Sequence, residues 1–195
     1  MPGYSLSMDA VWIDVPKEFL EERARLGHDR KDELWEGVLH LVSPAGSPIH
    51  GLVNLDLTHA LRTAGQRLGL LAYVEVGVYA PELDPVSYRV PDGALARPEQ
   101  ASERGLEGAV LVLEVLSPRD ESRKKFEFYA RVGVSEFWLV DPKTREPEIY
   151  ANVDGVFSRV HPVDGVHRSP LLGLSAQVIP GPKLLIRDGD SRIEI

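Results

Sequence analysis

Asp92, Glu114 and Lys125 are charged residues standing where the surrounding pattern calls for apolar ones. Residues 109–116 form an almost unbroken apolar, β-branched run, the pattern of a strand buried on both faces, and Glu114 is its one charge. Lys125 lies on the helical segment that follows, inside the arc of Phe126, Phe128, Tyr129, Ala130 and Val132, whereas Arg123, Lys124, Glu127 and Arg131 fall outside that arc. Asp92 sits between Pro91 and Gly93, an irregular point in another apolar segment. An isolated ion in a dry interior is costly, so each of the three needs compensation. Two carboxylates with few other ligands suit a hard cation such as Mg²⁺ or Mn²⁺, which takes oxygen ligands and keeps several waters. An ammonium beside such a cation can orient a water or hold a phosphate oxygen. Asp, Glu and Lys around one hole are therefore the parts for metal-assisted attack of water on a phosphodiester. The bland alternative is a buried Glu114–Lys125 ion pair. It leaves Asp92 beside Glu114 unexplained, because two like charges destabilise each other unless a cation joins them.

The elements that must position these residues can be read in order. Residues 1–13 form a lead-in, and 14–27 a first helix with Asp14 as cap, Phe19, Leu20 and Leu26 apolar, and Gly27 as stop. Residues 32–42 read as one strand, with Gly37 marking a bulge and Glu36 turned inward beside it as a third candidate metal ligand. A turn-rich loop then opens a helix over 49–68, with His50 in its first turn. Residues 70–80 and 88–96 read as strands, the second interrupted at 90–93, and 97–108 as a polar loop. After the strand at 109–116, Ser117 and Pro118 stop the ladder, Asp120 or Ser122 caps a helix running to Val132, and Gly133 lies past its end. Residues 134–140 form a further buried strand. Asp154-Gly155 and Asp164-Gly165 are hairpin turn signals, the first between strands 148–152 and 156–160, and 171–186 packs back as loop and short strand. The alternation is neither strictly βαβ nor all-β, so the pattern predicts an α+β fold with a mixed central sheet flanked by helices.

Length and composition bound the rest. At 195 residues the chain is expected to form a single domain, with a core over about 14–145 and C-terminal hairpins over about 146–187. Hydrophobic residues at 43% and charged residues at 27% are ordinary for a water-soluble globular chain. Cysteine is absent, which excludes disulfides, thiolate zinc sites and cysteine nucleophiles and suits a cytoplasmic location. No apolar run approaches a membrane span. The net charge of −8 argues against non-specific coating of nucleic acid, but is compatible with acidic clusters that take up metal ions.

Pro91-Asp92, an apolar strand carrying Glu114, and a nearby lysine resemble the PD-(D/E)XK nuclease superfamily. In that pattern the lysine lies two residues after the acid; Leu116 stands there in this chain, and Lys125 is the residue that could supply the ammonium from the next helix. The longer pattern is similar to the Uma2 (DUF820) family of endonucleases. It comprises Glu36-Gly37, Ser47-Pro48-Ile49-His50, Pro91-Asp92, Glu114-Val115-Leu116-Ser117-Pro118, Lys125 with Tyr129-Ala130, and the run from Gly133 to Asp141. Gly51 follows the helix histidine where such a family often has Gln.

The resemblance implies a restriction-endonuclease-like core with a C-terminal β-hairpin extension. It further implies a Mg²⁺- or Mn²⁺-dependent endonuclease acting on nucleic acid, with DNA the expected substrate. Asp92, Glu114 and Lys125 would be catalytic; Asp92, Glu114 and Glu36 would hold the metal. His50, Arg119, Arg123 and Lys124 are candidate substrate contacts, and a homodimer would let two sites meet two strands. The reading from another class is a catalytically inactive nuclease-fold domain that binds nucleic acid or a protein partner, because fold outlives function.

Overall fold

The computed structural model describes residues 15–43, 46–80, 84–118 and 120–195. Asp14, the lead-in and Arg119 lie outside them. Helix α1 (Lys17–Leu26) starts behind Pro16 and ends where Gly27 takes a φ of 68°, a left-handed turn that closes helices cheaply only at glycine. In chain order there follow β1 (Glu33–Trp35), β2 (Val38–His40), α2 (Pro48–Gln66), β3 (Leu71–Val74), β4 (Val78–Ala80), β5 (Asp84–Arg89) and β6 (Gly93–Ala96). Then come β7 (Leu106–Glu107), β8 (Leu111–Val115), α3 (Phe126–Arg131), β9 (Glu136–Val140), β10 (Pro147–Val153) and β11 (Val156–Val160). The chain closes with β12 (Val166–Arg168), β13 (Ser175–Ile179), β14 (Lys183–Asp188) and β15 (Ser191–Glu194).

The strands form three sheets, ordered β11-β10-β9-β8-β6-β3, β2-β1-β5-β4-β7 and β12-β13-β14-β15. In the first, β8 lies in the interior, parallel to β9 and antiparallel to β6. A parallel pair needs a crossover, and α3 supplies it. Residues of β8 alternate between two cores. Leu111, Leu113 and Val115 face α2 and the C-terminal sheet, together with Leu57, Leu61, Leu174 and Ile186. Val112 faces the opposite core, with Tyr129, Phe137, Val78 and Leu106. Period two puts Glu114 on this second side.

The mixed sheet with flanking helices and an antiparallel tail is thus the fold expected, and several elements are more divided than the pattern suggested. Residues 32–42 are a hairpin: Trp35 pairs with Val38, and the two residues between them, Glu36 and Gly37, both take positive φ. That is the twist a two-residue hairpin requires, so Gly37 marks a turn and not a bulge. The expected strand at 70–80 splits into β3 and β4, which belong to different sheets, with Glu75 at a φ of 52° between them. The segment 88–96 splits likewise at Pro91-Asp92. Helix α3 is shorter than expected. A 3-10 turn (Ser122–Lys125) precedes it, held by Asp120, whose two side-chain oxygens accept from Ser117 N and Ser122 N and so compete with a regular first turn. Asp154-Gly155 and Asp164-Gly165 are turns as anticipated. Residues 171–186 contribute β13 and most of β14 to a four-stranded meander, more sheet than a loop with one short strand.

Candidate active site

Asp92 occupies the three-residue link between β5 in one sheet and β6 in the other. Proline before it ends the β5 ladder, and Gly93 after it lets α2 approach: a Cβ there would stand 2.9 Å from Thr58 Oγ1. The Asp92 main-chain oxygen accepts from Asn54 Nδ2 at 3.1 Å and Glu75 N at 3.3 Å. Its Oδ2 accepts from Val115 N at 2.8 Å and lies 3.2 Å from His50 Nε2. The carboxylate is thereby pinned to the end of β8. Gly93 pairs with Leu113 in the antiparallel register, so one step further sets Asp92 across from Glu114 on the same face. Hydrogen bonding to Asp92 holds the His50 imidazole above its ordinary pKa, against the effect of burial.

Lys125 ends the 3-10 turn and points inward, while Lys124 points out and pairs with Glu121. The Lys125 Nζ donates to Glu114 Oε1 and to Glu33 Oε1, both at 2.8 Å. Glu33 also accepts from Val90 N at 2.8 Å and, through Oε2, from Trp35 Nε1 at 2.7 Å. Glu114 and Lys125 are buried, and so is Glu33. Burial pushes the Glu114 carboxyl up to about 8; Lys125 pulls the other way, and Asp92 and Glu33 add to the rise. Burial is the largest influence on Lys125 and draws its pKa down, but Glu114 and Glu33 outweigh it and keep the ammonium charged well above the lysine range. One buried ammonium thus faces more carboxylate than it can neutralise.

Among the described residues, no group of three or more His, Asp or Glu side chains is arranged to hold a metal ion. Two carboxylates are nevertheless enough for a small hard cation that keeps its waters. Asp92 Oδ1 and Glu114 Oε2 accept no hydrogen bond from the described residues, and the raised Glu114 pKa marks charge that a cation would balance. On the chemistry of its donors the pair fits Mg²⁺ or Mn²⁺.

The structure brings Asp92, Glu114, Lys125 and His50 into one site and leaves Glu36 out of it. Glu36 sits in the β1–β2 turn, 67% exposed, and pairs with Arg89 Nη2 at 3.1 Å. Period two explains this: Glu33 and Trp35 share one face of β1, and Glu36, three residues after Glu33, falls in the turn, so the carboxylate that reaches the site is Glu33. Arg123 is tied to Glu148 at 2.6 Å, and Lys124 to Glu121, both on the outer surface. Sequence reasoning missed Glu33, Arg89 and Tyr129. The spacing Glu33-x-Trp35 was the available signal for the first, since it sets a charge and an indole on one strand face. Arg89 is fully buried, with its guanidinium carbon 4.5 Å from the Trp35 ring centre and 4.3 Å from that of Phe128. Tyr129 is buried on α3, four residues after Lys125, and burial raises its phenol well above the ordinary range.

Residues 16–179 match the family described as "Uma2: Putative restriction endonuclease". Among solved structures, the chain is similar to "a putative nuclease belonging to DUF820 from Anabaena variabilis ATCC 29413", with a TM-score of 0.58 and 17% identity over 79% of this chain and 90% of that one. At that identity the likeness speaks for the fold. No curated protein matches the chain. No helix among the described residues is long and apolar enough to cross a membrane.

Proposed function

This chain belongs to the Uma2 family, and from that premise we propose that it is a metal-dependent endonuclease that hydrolyses phosphodiester bonds of nucleic acid, with DNA as the substrate. The observation that carries the reading is Lys125 Nζ, held 2.8 Å from both Glu114 and Glu33 in a buried site where Asp92 stands across from Glu114. A Mg²⁺ or Mn²⁺ held by Asp92 and Glu114 would supply Lewis acidity at the scissile phosphate. Val115 N fixes one oxygen of Asp92, which aims the other. Glu33 anchors Lys125 so that its charge stays at the site whatever Glu114 does. Two of the ammonium protons are engaged, and the third is free to hold a water or a non-bridging phosphate oxygen. Water adds to phosphorus and gives up a proton to solvent, the bond to the leaving oxygen breaks, and that oxygen takes up a proton from solvent.

The test is cleavage of single-stranded, linear duplex and supercoiled DNA, and of RNA, with Mn²⁺ or Mg²⁺ by wild type, Asp92→Asn and Lys125→Ala. Metal-dependent cutting by wild type, lost in both variants, supports the reading. If wild type cuts neither DNA nor RNA with either metal yet retains DNA in a mobility-shift assay, the inactive nucleic-acid-binding domain replaces it.

A further inference from the structure

A second concave site shares a wall with the cluster around Lys125. It is a pocket of about 280 Å³ floored by Trp35, Arg89 and Phe128 and rimmed by Glu36 and Glu127 together with Arg131, Lys124 closing one side. The connection to the cluster is short: Trp35 Nε1 donates to Glu33, and Glu33 accepts from Lys125. Lys124 and Phe128 flank Lys125 on its own segment.

The floor is a layered stack. His40 lies on Trp35, ring centres 3.9 Å apart and nearly parallel, and the Arg89 guanidinium lies between Trp35 and Phe128. The stack is closed on itself, the Arg89 guanidinium donating to Leu34 O, Tyr88 O and Glu36, and acidic and basic rim groups stand around it. That mixture selects among ligands. A bare phosphate would answer Lys124 and Arg131 but meet Glu36 and Glu127 as well; an aliphatic group would leave the rim charges of both signs unanswered. A nucleobase is flat, and its edge carries both donors, which the rim carboxylates accept, and acceptors, which the half-exposed Arg131 guanidinium addresses. The volume is close to the lower end of small-ligand pockets, which start at about 300 Å³. It suits one base and not a stretch of duplex. Arg131 is half exposed and set 4.0 Å from Glu127, so it can swing to an incoming group.

We infer that this pocket receives one unpaired nucleobase of the substrate strand, next to the phosphate presented to Lys125. The inference rests on the nuclease reading and gives it a substrate class: single-stranded or locally unpaired nucleic acid, whose bases are free to leave the stack.

Metal-free protein labelled with ¹⁵N, titrated with adenosine 5′-monophosphate, thymidine 5′-monophosphate, ribose 5-phosphate and inorganic phosphate, tests it through the Trp35 indole N–H signal, assigned with Trp35→Phe. The nucleotides should move that signal saturably and leave the buried Trp138 signal in place; ribose 5-phosphate and phosphate should not move it. Arg131→Ala and Glu36→Gln should each weaken the nucleotide titration by about fivefold or more, the scale of one base contact. A Trp35 signal that ignores nucleotides, or that answers phosphate alone equally well, overturns the inference. Asp92→Asn separates the two ideas. If it binds nucleotides at Trp35 as wild type does while wild type proves unable to cut, the nuclease reading fails and the pocket stands; if wild type cuts and the Trp35 signal is silent, the pocket fails alone.

Discussion

Two strands of this protein carry the same local device and put it to different uses. In β1, Trp35 Nε1 donates to Glu33 two residues before it; in β9, Trp138 Nε1 donates to Glu136 two residues before it, at 2.6 Å. Both glutamates are buried. Glu136 Oε1 also accepts from Ser169 Oγ at 2.6 Å, and its Oε2 from Leu171 N at 3.0 Å. Each of these donors is neutral, and two belong to the segment joining β12 and β13 of the C-terminal sheet. Glu136 is a clip that holds that segment to the central sheet. Glu33, by contrast, accepts from a charged donor, the Lys125 ammonium, which donates to Glu114 as well. Burial raises the Glu136 pKa as it raises that of Glu114, so burial and titration do not tell a structural carboxylate from a reactive one. What tells them apart is saturation: Glu136 has donors on both oxygens, while Glu114 Oε2, beside Asp92, accepts from none of the described residues.

The largest effect should come from breaking the charged cluster. Lys125→Ala should lower metal-dependent cleavage by about a hundredfold or more, the scale of one positioned catalytic group. Glu136→Gln should leave cleavage within about twofold of wild type while costing about 1–3 kcal/mol in denaturant melts, because Leu171 N would face an amide donor. If Glu136→Gln loses activity as Lys125→Ala does, the contrast between the two glutamates is wrong.

Next in size is the pH dependence of metal binding. Burial raises the Glu114 carboxyl to about 8, so a cation competes with a proton there. Apparent Mn²⁺ affinity by calorimetry should tighten by about tenfold per pH unit from about 6 to 8 and level off above. An affinity flat across that window would show that the metal does not reach Glu114.

Glu114→Gln sharpens the same point through stability. The folded-state pKa of Glu114 is raised from 4.5 to about 8, so its contribution to stability is full below about 4.5 and is lost as pH rises through about 8. Glutamine has nothing to ionise, and Glu33 still holds Lys125. The variant should match wild type near pH 5 and exceed its melting temperature by roughly 2–8 °C at pH 8, the equivalent of about 1–2 kcal/mol in a chain of this length. A lower melting temperature at pH 8 would make Glu114–Lys125 a structural pair.

The smallest effect belongs to Lys124→Ala. Its side chain is outside the cluster, so DNA binding should weaken by only about two- to fivefold, mostly at low salt, as for one phosphate contact. A loss of cleavage comparable to that of Lys125→Ala would contradict the inward and outward assignment of the two neighbours.

Much of the arrangement was legible in the sequence because it rests on periodicity. The apolar run around Glu114 specified an interior strand, and the helical arc separated Lys125 from Lys124. Asp154-Gly155 announced its own turn. The unreadable parts are those where a continuous apolar run changes sheet. The breaks at Glu75 and at Pro91-Asp92 leave hydrophobicity intact on both sides, so pattern alone cannot say that one strand is two. Glu36 was misplaced for a related reason: it is a turn residue between β1 and β2, and the strand position that faces the site is Glu33, three residues earlier. Saturation at Glu136 depends on Ser169 and Leu171, far along the chain, and no local pattern could reveal it.

The link bearing Asp92 has a consequence for how this chain tolerates change in length. Residues 90–92 join strands of two different sheets, and the antiparallel register of β6 against β8 fixes which face Asp92 presents. Inserting one residue there would rotate Asp92 to the opposite face and carry it to the α2 side, while leaving every other side chain of the site unaltered in identity. The same insertion in the exposed Asp154-Gly155 turn would lengthen a hairpin and nothing more. Natural variants of this chain should therefore differ freely in length at the hairpin tips and keep a fixed spacing from Tyr88 to Ala94, whatever residues fill it.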